Sequence, residues 1–263
     1  MIARRYSCRI AIAVFALGAG SCARDIPVVE TKGECAQVYN AAVCLWSRMQ
    51  GDRVVEVGAD VPLAVVENAA ADHEMSWPPV ARAILPLAPA ASKQTGLTHL
   101  TTYWEAEGHP PGPYLTPHFD FHFYTVPPAE RTAMDCKDLS KPAALAAGYA
   151  LPDVTLPPPM AAMTGVPTLI GLCVPQMGMH SLLASEMQST ALFRGTMVIG
   201  YYKGKSIFIE PMLTRAMLME MKSFDLAIPS IPGMTGVYPH TFHATYDAQS
   251  KSYRFAFSGF APG

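Results

Sequence analysis

Basic clusters, long apolar stretches and the signature motifs of common hydrolases are missing from this 263-residue sequence. Each absence removes a class of function. Its formal charge is −2, with 19 lysines and arginines scattered rather than grouped. Nucleic-acid binding needs concentrated positive charge, so nucleic acid is excluded as a partner. After residue 21 no segment is long and apolar enough to cross a bilayer, which takes about 20 residues. There is no GxSxG, and Ser181 beside His180 makes no triad, because neighbours along a strand face opposite ways. No HExxH occurs either. The cysteines lack the CxxC spacing of a structural zinc site or a redox motif. Internal repeats and runs of like charge are also lacking.

The first residues carry an export pattern instead. Arg4, Arg5 and Arg9 precede the apolar run Ile10 to Leu17, too short to span a membrane. Ala19-Gly20-Ser21-Cys22 resembles the lipobox of bacterial lipoproteins, although alanine stands at 19 where leucine is usual, so ordinary cleavage near Ala19 or Ala23 is the alternative. The sequence thus divides into a signal peptide (1–21), a tether after a lipidated cysteine (22–34) and one β-barrel-like domain (35–263). Export to the periplasm or to an outer-membrane anchor follows, with membrane contact through the N-terminal lipid alone. Losing residues 1–21 removes three arginines and no acid, which moves the formal charge from −2 to −5. The remaining chain of about 240 residues is enough for one substantial core. Homo-oligomerisation stays open.

Of the six cysteines, Cys8 lies in the signal and Cys22 at the lipidation site. Cys35, Cys44, Cys136 and Cys173 are left, an even number in an oxidising compartment. Pairing Cys35 with Cys44 and Cys136 with Cys173 would pin one hairpin and one long loop. Buried free thiols are the alternative.

Short β-rich runs separated by turn signals argue for a mainly β protein, an antiparallel β-barrel-like fold, calycin-like or a sandwich, with a few short helices. Residues 35–50 and 53–57 read as strands around a Gly51-Asp52 turn, and 63–71 as a helix. Further strands are expected at 82–87, 97–106, 116–126, 169–174, 190–202, 205–210, 240–247 and 252–260, with helices at 127–134 and 212–222. Lys203-Gly204 predicts a two-residue hairpin pairing Tyr202 with Lys205, Gly200 with Ile207 and Met197 with Glu210. Residues 137–168, with Pro157-Pro158-Pro159, cannot be central sheet.

The strongest signal is 117–124, Pro-His-Phe-Asp-Phe-His-Phe-Tyr. Period-two alternation puts His118, Asp120 and His122 on one face of a strand and Phe119, Phe121 and Phe123 on the other. We expect an apolar outer layer and a chemically active interior. His109, His180 and Glu210, from separate segments, can join it. Imidazoles with a carboxylate suit a divalent transition metal, zinc or copper. His118, His122, His180 and Glu210 are the candidate metal ligands, and His109, Asp120 and Tyr124 the candidate ligand-binding residues. Spacing limits the combination. His118 and His122 lie roughly 13 Å apart along a regular strand, so a bulge must shorten that span or one ring must stand behind the other's ion. Residues two apart fit one centre more easily. A metal-free acid–base site, serving a hydrolase or isomerase, and a buried hydrogen-bonded network in a structural envelope protein use the same residues. The methionines at 177, 179, 212, 217, 219 and 221 could serve Cu(I), but Met217 and Met221 have the i, i+4 spacing of helix core packing.

Four motifs in order carry a family resemblance: Gly-His-Pro-Pro-Gly-Pro-Tyr at 108–114, Pro-His-Phe-Asp-Phe-His-Phe-Tyr at 117–124, Cys-Val-Pro-Gln-Met-Gly-Met-His at 173–180, and Gly-Tyr-Tyr-Lys-Gly-Lys with Phe-Ile-Glu-Pro-Met at 200–212. Over about residues 35–220 the chain resembles the DUF5602, or TTHB-210-like, family of exported bacterial proteins of unknown function. The resemblance implies a β-barrel-like domain and marks His109, His118, Asp120, His122, His180 and Glu210 as family features. It brings no catalytic role with it.

Overall fold

The computed structural model describes residues 26–234 and 237–262. The signal peptide and Cys22 lie outside the described residues. The fold is mainly β and antiparallel, with one sheet curled into a half-barrel and few short helices. Strands β1 (Val28–Val38), β2 (Ala41–Gln50) and β3 (Arg53–Pro62) are followed by helix α1 (Leu63–Asn68). Next come β4 (Ala83–Pro86), helix α2 (Pro89–Thr95), β5 (His99–Glu105), β6 (His118–Tyr124) and helix α3 (Pro128–Thr132). After the proline-rich excursion and its helix α4 (Pro158–Thr164) come β7 (Gly178–Leu183), β8 (Gly195–Tyr202), β9 (Lys205–Thr214), β10 (Phe224–Ala227), β11 (Thr241–Asp247) and β12 (Ser252–Ser258).

One sheet runs β1-β2-β3-β12-β11-β10, so both ends of the described chain build it, while the middle of the chain builds a second sheet ordered β7-β8-β9-β6-β5-β4. The edge of this second sheet at β7 is extended by Cys173–Val174 and by the short strand Tyr149–Ala150. The phenylalanine face of β6 forms the core between the sheets. Phe121 meets Phe255 with ring centroids 5.1 Å apart, and Phe123 meets Phe257 at 4.8 Å. Both contacts are edge-to-face, a preferred aromatic geometry. The expected layering is therefore reversed: the aromatic layer faces inward between the sheets. The histidine face points away from the second layer and is buried under loops, because a face carrying Tyr114, Tyr124, Phe193, Phe208 and Met212 can hold its own apolar cover.

Both disulfides form as expected, Cys35–Cys44 and Cys136–Cys173. Cys35 faces Cys44 in the β1–β2 register. β1 begins at Val28, inside the segment expected as tether, because it pairs along its length with β2 from Val28↔Gln50 onward.

The Lys203-Gly204 hairpin forms with φ of 50° and 73°. Positive φ at both central residues is what a type I′ turn requires. Tyr202 pairs with Lys205, but the register then shifts, giving Gly200↔Phe208 and Val198↔Glu210 in place of Gly200–Ile207 and Met197–Glu210. The cause is a bulge, favoured because Gly200 leaves room for the Phe208 ring. A Cβ at residue 200 would sit 1.9 Å from that ring. The helix expected at 212–222 shrinks to Arg215–Leu218, capped by Thr214, whose Oγ1 accepts from the Met217 amide at 3.2 Å. Met212, Leu213 and Thr214 instead pair with Asp120, Phe119 and His118. Sheet pairing overrides the helical spacing, and Met221 ends up exposed rather than packed in a helix core.

Candidate metal centre

β6, β9 and β5 lie side by side, and their alternation sets one polar face. The β6–β9 register that joins Met212 to Asp120 and Ile209 to Phe123 puts Glu210 opposite His122. On the other side, β5 sets Glu105 opposite His118 and Tyr103 opposite Asp120. His180 comes from β7, where it pairs with Gly200. His109 arrives from the loop between β5 and β6. His118 and His122 are fully buried, Glu210 nearly so at 1 %, Asp120 at 4 % and His180 at 8 % exposure.

These side chains separate into two groups, each with donor atoms within 4.8 Å of one another: His122, His180 and Glu210, and His109, His118 and Asp120. All the candidate metal ligands except His118 thus converge. His118 joins His109 and Asp120, as the span along β6 suggested. Tyr124 touches neither group through its oxygen. Its ring stacks between His122 and His99, and its hydroxyl donates to the Met177 carbonyl at 3.4 Å.

In the first group, His122 Nε2 lies 3.3 Å from His180 Nε2 and 3.4 Å from Glu210 Oε2. Zinc bonds of 2.0–2.1 Å at tetrahedral angles hold neighbouring donors roughly 3.3–3.4 Å apart, whereas direct hydrogen bonds close to about 2.7–3.2 Å. The tautomers agree. A carbonyl can only accept, so His180 Nδ1, 3.0 Å from the Leu172 carbonyl, carries the proton and leaves a lone pair on Nε2. Orientation of a metal-binding ring by a backbone carbonyl is the usual arrangement behind such sites. Glu210 Oε2 and His122 Nδ1 have no hydrogen-bond partner among the described residues.

Electrostatics point the same way. Burial pushes the His180 imidazole down to about 4 and holds His122 and His118 well below the usual histidine range. Burial, with the charges of Asp120 and Glu105, holds Glu210 well above the carboxylate range. Asp120 is raised likewise by burial and by Glu105, and burial pushes Glu105 itself up to about 7 against the pull of Arg82. Neutral imidazoles with carboxylates short of positive charge form a donor set that a divalent cation stabilises.

A cleft of ≈ 80 Å³ reaches this face, with Glu105, His109, Asp120 and His180 on one wall and Trp77, Met160, Met163, Leu169, Val174 and Met177 among its apolar lining. Phe208 packs against both rings, its centroid 4.6 Å from His122 and 5.1 Å from His180. Buried Arg131 on α3 donates to the Tyr103 hydroxyl and to the Gln176 carbonyl, both at 2.9 Å, tying the cover to the sheet.

Sequence reasoning missed Glu105, Tyr103 and Arg131. The first two had a signal: His99, Thr101, Tyr103 and Glu105 alternate along β5 with Leu100, Thr102 and Trp104, the same period of two as in β6. Arg131 had none, since its role depends on how the loop packs. His99, at the start of β5, is also fully buried. Comparison with protein families, curated proteins and solved structures finds no family model, no curated protein and no solved structure that matches.

Proposed function

We propose that this is an exported, lipid-anchored protein of the DUF5602 type that binds a divalent transition metal through His122, His180 and Glu210. The observation that carries the reading is the 3.3 Å and 3.4 Å spacing of His122 Nε2 from His180 Nε2 and Glu210 Oε2. Two imidazoles and a carboxylate suit zinc better than Cu(I), which prefers sulfur. The two disulfides support an oxidising compartment. The lipid anchor rests on Cys22 and the residues before it.

An enzymatic reading has its own support. Three protein donors leave a fourth position for water or substrate, and the apolar cleft reaches His180. The group acted on would sit in an apolar site beside Glu105, whose carboxyl is pushed up to about 7 by burial and so falls in the range of a general acid or base near neutrality.

The test is metal analysis of purified, folded protein after stripping and reloading with Zn²⁺. Glu210→Gln and His180→Ala are each expected to lose one equivalent of zinc relative to wild type while keeping the far-ultraviolet spectrum. Undiminished zinc in both variants rejects this centre.

A further inference from the structure

We infer that His109, His118 and Asp120 form a second divalent-metal site, so that the chain holds two ions side by side on one sheet face. This goes beyond the centre at His122 and does not depend on it.

The donors are set up independently of the first group. His118 Nδ1 lies 2.7 Å from the Thr116 carbonyl, and His109 Nδ1 lies 2.9 Å from the Pro110 carbonyl. Both Nδ1 atoms therefore carry their protons, and both Nε2 atoms present lone pairs. His118 Nε2 and Asp120 Oδ1 are 3.4 Å apart, and neither has a hydrogen-bond partner among the described residues although both are buried. A bare lone pair facing a carboxylate oxygen in a buried site is unfavourable unless a cation or a proton lies between them. The 3.4 Å spacing is again that of neighbouring donors on a tetrahedral ion.

Packing fixes the rings. His109 meets His118 edge-on at 4.9 Å, Phe193 meets His118 edge-on at 5.2 Å, and Tyr114 lies along His109 at 6.2 Å. Held rings cannot turn away to find other partners, so the donors are preorganised. Glu105, opposite His118 across the β5–β6 ladder, adds a further carboxylate to this side of the face.

The two centres must be separate. Asp120 and His122 are two residues apart on β6, roughly 7 Å along the strand, more than the 3.5–4 Å of ions sharing a bridging ligand. The cleft touches both, the second centre through His109 and Asp120 and the first through His180. One ligand in the cleft can reach both ions.

The experiment counts zinc per chain in the full mature protein, stripped with chelator, reloaded with Zn²⁺ and desalted. Wild type is expected to carry two equivalents, His118→Gln one, Glu210→Gln one, and the double variant none. His109→Ala, at the cleft wall and only partly buried, is the second variant. It is expected to weaken the second equivalent at least tenfold in a chelator competition, with unchanged thermal unfolding of the stripped protein. A single equivalent in wild type that His118→Gln keeps and Glu210→Gln loses overturns the second site and leaves the first. A single equivalent lost only in His118→Gln supports the second site and sinks the first. Two equivalents persisting in both His118→Gln and His109→Ala, or no zinc in any form, overturn the inference.

Discussion

The imidazole of His99 stacks on Tyr124 at 4.9 Å and stands 2.8 Å from Thr98 Oγ1. That hydroxyl donates to the Val126 carbonyl, so His99 Nδ1 must be its donor, which leaves Nε2 buried without a partner among the described residues. Protonating Nε2 in this setting is costly, and burial, then the charge of Arg131, pushes His99 down to about 4. The sign of the pH effect follows. An unfolded chain takes up a proton near pH 6.5 and the folded chain only near 4, so the contribution is intact above pH 6.5 and is lost as pH falls towards 4. The loss approaches about 3 kcal/mol. In urea unfolding of metal-stripped protein, the stability gap between wild type and His99→Leu is expected to shift by that amount, in favour of the variant, from pH 7 to pH 4. A gap independent of pH rejects the assignment. Gly200 acts by what it lacks. Its missing Cβ is the space that the Phe208 ring fills against His122 and His180. Gly200→Ala should therefore cost about 1–3 kcal/mol by overpacking and weaken zinc about tenfold by turning the rings behind the ion. Adding Phe208→Leu should restore part of both losses, measured by thermal unfolding and zinc titration.

At the scale of elements, a two-residue period was enough to put His118, Asp120 and His122 on one strand face, because β6 pairs regularly on both sides. The grouping of those residues was not readable. It depends on a loop that brings His109 to His118 and on a bulge after the Lys203-Gly204 turn that sets Glu210 across from Val198. Neither leaves a periodic trace. The direction of the aromatic face is not legible for a similar reason: alternation separates two faces but does not say which one meets the second sheet. The cysteine count left several pairings open, and the choice that pins one hairpin and one long loop is the one that forms; Cys136–Cys173 has a further consequence. It closes a separation of 37 residues, which constrains the unfolded chain by about 4 kcal/mol. It also fixes Cys173 next to Leu172, whose carbonyl orients His180. Replacing both cysteines with serine is expected to loosen this cover before the sheets. Limited proteolysis should cut between 137 and 168, and chelators should strip metal faster, while Cys35–Cys44 keeps β1 and β2 joined. Equal cutting and stripping rates in the two proteins would show that the cover is held by packing alone.

For the molecule as a whole, the two sheets share a core of phenylalanines and aliphatic side chains, while the other face of the curled sheet buries imidazoles and carboxylates under loops. The first layer is stable by burial of apolar surface. The second puts charged and polar groups out of water, which is unfavourable unless they are paired. Asp120 Oδ1, Glu210 Oε2 and His118 Nε2 lack hydrogen-bond partners among the described residues, so hydrogen bonds there do not meet the cost, and on the proposed reading ion binding would meet it. Metal should then act as a ligand of the folded state. At a free concentration a thousand times the dissociation constant, one ion adds about 4 kcal/mol. A chain of this size shifts its unfolding midpoint by about 2–4 °C per kcal/mol. Stripping with chelator is expected to lower the midpoint by roughly 8–16 °C for one ion and more for two, with recovery on adding Zn²⁺ but not Mg²⁺, whose hard, octahedral preference does not suit two imidazoles. Thermal scans of stripped and reloaded protein at fixed ionic strength measure this directly. An unfolding midpoint that neither chelator nor zinc moves would mean that the histidine face holds itself together by protons alone, and the metal reading of this fold would fail with it.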